Sequence, residues 1–140
     1  MPPVTPFAPR RGKVVPAVLA VAAVVLFLAV AVLVPEKYQL VDRIAFAGMG
    51  LAIAALLLRY VTIRAVPQDD GLFVRNIGAG QLVPWEEIEA VRFSDGMPWV
   101  RLDLADGDEQ AVMAIQRADG PRSVQEAQRL SDLVAAHQRP

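Results

Sequence analysis

Chemistry needs nucleophiles, titratable pairs or metal ligands, and this 140-residue chain offers few of them. It has no Cys and a single His, His137. That removes disulfides, thiolate nucleophiles and Cys-ligated metals. His137 lies on a helical stretch close to the end of the sequence, where a lone imidazole is most simply solvated. Glu86, Glu87 and Glu89 crowd the approach to one strand, and Asp106, Asp108 and Glu109 crowd one turn. General acid–base work needs carboxylates facing each other across a pocket. These read as turn and surface residues. The turn carboxylates do not match the spacing of an EF-hand loop, and Gly78-Ala79-Gly80 lacks the Lys and the pattern of a phosphate-binding loop. The expectation is no enzyme, no metal and no cofactor.

What remains is Arg and aromatic chemistry. Alternation along the expected strands puts Arg64, Phe73, Arg75, Arg92, Trp99 and Arg101 on faces opposite to the core positions. If those strands are neighbours, Phe73, Arg75, Arg92, Trp99 and Arg101 form one sheet surface rich in the side chains that dominate protein interfaces. The blander reading covers Phe73 and Trp99 with a loop and pairs the Arg residues with acids such as Asp103. Arg64 and Arg75 are the residues suited to a lipid headgroup phosphate. From Ala65 onward, however, seven Arg stand against thirteen Asp and Glu, a net charge of −6. Clusters of four to eight cations are the usual mark of anionic-lipid recognition. The same acidity argues against a nucleic-acid partner.

Two uncharged apolar runs must position this domain. Val14–Val34 holds 21 residues without a charge, and Ile44–Leu58 holds a second such run. A bilayer core takes about 20 apolar residues of helix. Flanks lengthen the second run, with Arg43 and Arg59 able to snorkel. The reading is a transmembrane hairpin over 14–61, with spans at 14–34 and about 40–60. Residues 1–13 carry Arg10, Arg11, Lys13 and four prolines, and read as a disordered basic tail. The positive-inside rule then puts both termini in the cytoplasm of a multi-pass protein of the cell membrane. A cleaved signal is the competing reading, from Arg10-Arg11 and Ala29-Val30-Ala31. The run is too long for one, and no apolar pair comes after the arginines. Gly48 with Ala52, and Gly50 with Ala54, are small residues four apart that let membrane helices approach closely. They serve packing inside the hairpin, an oligomer, or neither.

Residues 62–140 read as short strands and then one helix. Turn signals at Asp69-Asp70-Gly71, Gly78-Ala79-Gly80, Ser94-Asp95-Gly96 and Asp106-Gly107 separate strands over 60–66, 72–76, 81–84, 86–93, 99–104 and 110–115. Asp119-Gly120-Pro121 breaks the chain before a helix. Ser123 is its expected N-cap, with Glu126 completing a capping box. Val124, Ala127, Leu130, Leu133 and Val134 supply its apolar stripe.

Strands closed by one C-terminal amphipathic helix give the pleckstrin-homology (PH) order. Pro84-Trp85, Ile88, Val91-Arg92-Phe93, Pro98-Trp99-Val100, Leu102, Leu104-Ala105-Asp106-Gly107 and Ala111–Arg117 resemble the bacterial PH-domain family. The likeness extends to the actinobacterial branch named for a low-molecular-weight antigen, with two membrane helices before the domain. The resemblance implies an α+β membrane protein. A two-helix hairpin precedes a PH-like antiparallel β-sandwich or barrel, and a C-terminal α-helix caps it. Six strands stand out where the full PH fold has seven. The implied role is a membrane-anchored adaptor or scaffold that binds a protein, whether a membrane protein or a second copy. The alternatives are lipid-headgroup binding, or an accessory subunit of a larger membrane complex.

Overall fold

The computed structural model describes residues 4–140 and divides the chain into two compact units. One is the stretch Lys13–Val61. The other joins Met1–Gly12 to Thr62–Pro140.

The first unit holds most of two helices, α1 (Arg11–Leu33) and α2 (Leu40–Val61), both long and apolar enough to cross a bilayer. Within α2 the small residues divide by helical phase. Gly50 and Ala54 are buried, whereas Gly48 and Ala52 are exposed. A Cβ on Gly50 would stand 2.6 Å from Phe27 Cβ, so only glycine lets the helices approach so closely there. The connection between them is stapled by side chains. Arg43 donates to the carbonyls of Ala31, Val32 and Val34, three of the orphan acceptors at the end of α1. Asp42 accepts from the Gln39 N–H at the start of α2.

The second unit is a β-sandwich. One sheet runs in the order β1 (Arg64–Pro67), β2 (Gly71–Arg75), β3 (Gln81–Pro84). The other runs β4 (Ile88–Arg92), β5 (Trp99–Leu104), β6 (Glu109–Gln116). All neighbours are antiparallel. Leu72, Val74 and Val83 from one sheet, and Ile88, Val100, Leu102, Val112 and Ile115 from the other, are buried to within a few per cent. They make one core, which α3 (Pro121–Gln138) closes with Ala127, Leu130 and Val134.

Several expectations shift. Tyr60 and Val61 continue α2, and β1 begins only at Arg64. Residues 85–87 form a short 3₁₀ turn ahead of β4. Ser123 is not the N-cap of α3, because Gly120 and Pro121 start that helix earlier. Ser123 instead sits buried in the first turn and its hydroxyl donates to Gly120 O at 2.6 Å. The buried stripe accordingly begins at Ser123, while Val124 turns outward.

The larger correction concerns the expected disordered tail. Met1–Pro3 lie outside the described residues, but the segment after them packs on the β-domain. Phe7 is fully buried. It bridges Ala65 antiparallel, with N–H···O bonds of 2.8 and 2.9 Å in both directions. The Arg129 guanidinium lies 3.7 Å from the Phe7 ring centroid and donates to Thr5 O. The Asp119 carboxylate accepts the backbone N–H groups of Arg10 and Arg11, a remote cap on the first residues of α1. Burial of one aromatic ring and satisfaction of these donors outweigh the flexibility that four prolines suggest. The bridge is a single residue pair beside β1, outside the six strands.

Candidate interaction surfaces

The expected Arg-aromatic cluster is split between the two sheets. Phe73 and Arg75 belong to β2, whereas Arg92 is on β4 and Trp99 and Arg101 are on β5. Each set lies on the outer face of its own sheet, so the five residues do not form one surface. Alternation gives the face of a residue but not the sheet to which its strand belongs, and the break between the sheets falls between β3 and β4, the one consecutive pair that is not hydrogen-bonded.

On the second sheet, Arg92 and Arg101 are direct cross-strand partners. Two carboxylates neutralise them. Arg92 bonds Asp103 at 2.6 Å and also meets Glu109, and Arg101 reaches Glu109 at 3.1 Å. The Asp103 hydrogen bond and charge hold the Arg92 pKa above its ordinary value. The blander expectation for Arg92 therefore describes its geometry. Trp99 starts the same strand on the same face. It is half-buried, and its indole N–H is buried without an acceptor.

On the first sheet, Arg64 and Arg75 are also direct cross-strand partners. Among the described residues, no carboxylate bonds either one. Arg64 is exposed, and Arg75 is half-buried with its Nε shielded and unpaired. Val66, Phe73 and Leu82 share this face through the register. The Phe73 ring lies over Gly80, where a Cβ would fall 2.2 Å from its Cζ. Phe73 is thus half-buried and packed on Gly80.

Sequence reasoning missed three features. Asn76 uses its carboxamide as a surrogate strand, donating to Ala111 O at 2.9 Å and accepting from Met113 N–H at 3.0 Å. It thereby ties the end of β2 to β6, whose register with β5 is irregular. His137 is not merely solvated, because its ring stacks on Trp85 with centroids 4.2 Å apart. Trp85 in turn donates from Nε1 to Gln68 O at 2.8 Å. Asp69, Asp70, Glu86 and this stack line a cavity of about 480 Å³. No sequence motif flags any of the three, since each joins residues far apart in the chain. Among the described residues no His, Asp or Glu group is arranged to hold a metal ion.

Comparison with known proteins agrees with this architecture. A family model described as a bacterial PH domain matches residues 63–130, from the entry to β1 into α3. Uncharacterised proteins of Mycobacterium bovis and of two Mycobacterium tuberculosis strains are each 35% identical over 100 residues. Each match covers 71% of this chain and 65% of the relative's own length, so less than two thirds of those relatives is represented. No solved structure matches the chain. PH domains are in general interaction modules without catalysis. With the two sheets, the closing helix and the family match in agreement, residues 63–130 form a PH-like domain that matches the bacterial PH-domain family.

Proposed function

We propose that this protein is a membrane-anchored, non-catalytic adaptor whose PH domain docks a protein on the outer face of its second sheet. The observation that carries the reading is Trp99. A half-buried aromatic ring with a shielded, unpaired indole N–H, flanked by charge, has the composition of an interface anchor within a polar rim. The neutralised Arg92–Asp103–Glu109–Arg101 network supplies that rim.

Membrane anchoring is supported by the side chains that α1 and α2 leave uncovered, among them Val18, Val21, Val25, Leu51 and Leu56. Water tolerates contiguous apolar patches of only a few hundred Å², whereas lipid covers such a surface at no cost. The residues before α1 and those after α2 form one unit. One unit cannot occupy both sides of a bilayer, so the helices cross as a hairpin. The cations Arg10, Arg11 and Lys13 favour the cytoplasmic side for it.

The test is in-cell crosslinking of the full chain beside its Trp99→Ala/Arg101→Ala form. Capture of a protein by the first and its loss from the second supports the adaptor. Equal capture by both rejects this face.

A further inference from the structure

The stretch Gln116–Asp119 grips two parts of the chain that lie far apart in sequence. It ends β6 and continues as a short 3₁₀ turn over Arg117–Asp119. On one side it holds the connection from β4 to β5, which leads into Trp99. Gln116 is the register partner of Trp99. The Arg117 backbone N–H donates to Pro98 O at 2.9 Å, and its guanidinium donates to Met97 O at 3.0 Å and to Ser94 O at 2.8 Å. The same guanidinium lies 4.1 Å from the Phe93 ring centroid. On the other side the stretch holds the start of α1. The Asp119 carboxylate accepts the N–H groups of Arg10 at 3.1 Å and Arg11 at 2.9 Å, and Ala118 O accepts from the Arg11 guanidinium. Gly12 approaches so closely that a Cβ there would stand 2.5 Å from Gln116 Oε1.

We infer that Gln116–Asp119 is a relay that couples the Trp99 docking face to the first turn of α1. A carboxylate at a helix start satisfies orphan N–H groups and complements the helix dipole. α1 has no acid in its own first turn, and the β-domain supplies one instead. The position of that carboxylate follows from the bonds of Arg117 to the β4–β5 connection. The β5–β6 ladder does not hold it independently, because the register jumps from Val112 opposite Val100 to Gln116 opposite Trp99. A protein docked on Trp99 shifts the connection, Arg117 carries the shift to Asp119, and the cap on α1 tightens or loosens with it. The element with two states is that first turn, capped or frayed. Such coupling is reciprocal, so the state of α1 also biases docking. The relay rests on the docking proposed for the Trp99 face, but its test needs no partner. A failed relay therefore leaves that docking standing, and failed docking leaves the relay measurable.

The test is amide hydrogen exchange, read by NMR on the full chain in detergent micelles with isotope-labelled arginine and tryptophan. Asp119→Ala removes the cap directly and sets the scale, about fivefold faster exchange at Arg10 and Arg11. Phe93→Leu disturbs only the Trp99 side, by taking away the ring under Arg117. The expected result is exchange at Arg10 and Arg11 about two- to fivefold faster in Phe93→Leu, with Arg75 and Arg129 unchanged. Arg117→Met severs the same link from within and gives the same result if Phe93→Leu does not fold. In the reverse direction, Asp119→Ala moves the Trp99 indole N–H signal. It leaves in place that of Trp85, which stacks on His137 near the other end of α3. Exchange at Arg10 and Arg11 that stays at the original rate overturns the relay, as does a Trp99 signal unmoved by Asp119→Ala. Acceleration shared with Arg75 and Arg129 also overturns it, because the whole domain is then opening.

Discussion

The two arginine pairs separate chemistry that composition alone treats as equal. Both are opposed like charges on outer strand faces, but only one has carboxylates. The two pairs therefore respond to mutation with opposite signs. In detergent micelles, Arg64→Gln relieves repulsion and melts no lower than the original chain. Arg92→Gln strands Asp103 and melts lower. Thermal unfolding of the two variants side by side checks the sign. Asn76 is the residue with the largest structural consequence at the end of β2. Asn76→Ala leaves the Ala111 carbonyl and the Met113 N–H without their partner, which costs about 2 kcal/mol. Denaturant titration measures it. The face each strand residue occupies was legible from alternation, as Val100 and Leu102 inside and Arg101 outside demonstrate. The partners of Asn76 and Trp85 were not legible, because a carboxamide or an indole selects its acceptor only after distant strands have been brought together.

Elements were legible where local chemistry decides them. The turn signals separate six strands at nearly their observed positions, and the apolar runs become α1 and α2. The helix start at Gly120 was misplaced because Ser123 has capping chemistry that the tertiary fold uses differently. Within the hairpin, the paired small residues could not be ranked from spacing alone, since both repeat every four residues. Helical phase ranks them. Gly50→Leu drives a side chain into Phe27 and separates α1 from α2. A Cβ at Gly48 meets nothing within 4 Å, so Gly48→Leu leaves the hairpin intact. A crosslink between cysteines placed on α1 and α2 forms in the Gly48 variant and is lost in the Gly50 variant. If Gly48→Leu instead abolishes association with another membrane protein, the accessory-subunit reading gains its interface.

At the scale of the whole chain, the hairpin interrupts the domain. The segment before α1 supplies a buried ring and one β-bridge to a sheet whose strands all come after α2. Prolines and arginines dominate that segment, which is why its sequence reads as a tail. One phenylalanine among them gives no periodicity, so its burial was invisible before the fold. Phe7→Ala removes a fully buried ring at a cost of about 3 kcal/mol. It also exposes the segment to proteolysis ahead of α1. The absence of native cysteine makes topology directly measurable with single substitutions at Thr5, Glu36 and Ala136. Each replaced by Cys in intact cells, they report their side through a thiol reagent that does not cross the membrane. The account predicts that Thr5→Cys and Ala136→Cys are both protected until the cells are opened, while Glu36→Cys reacts at once. Labelling of Thr5→Cys and Ala136→Cys from opposite sides would contradict one domain assembled from the residues before α1 and those after α2.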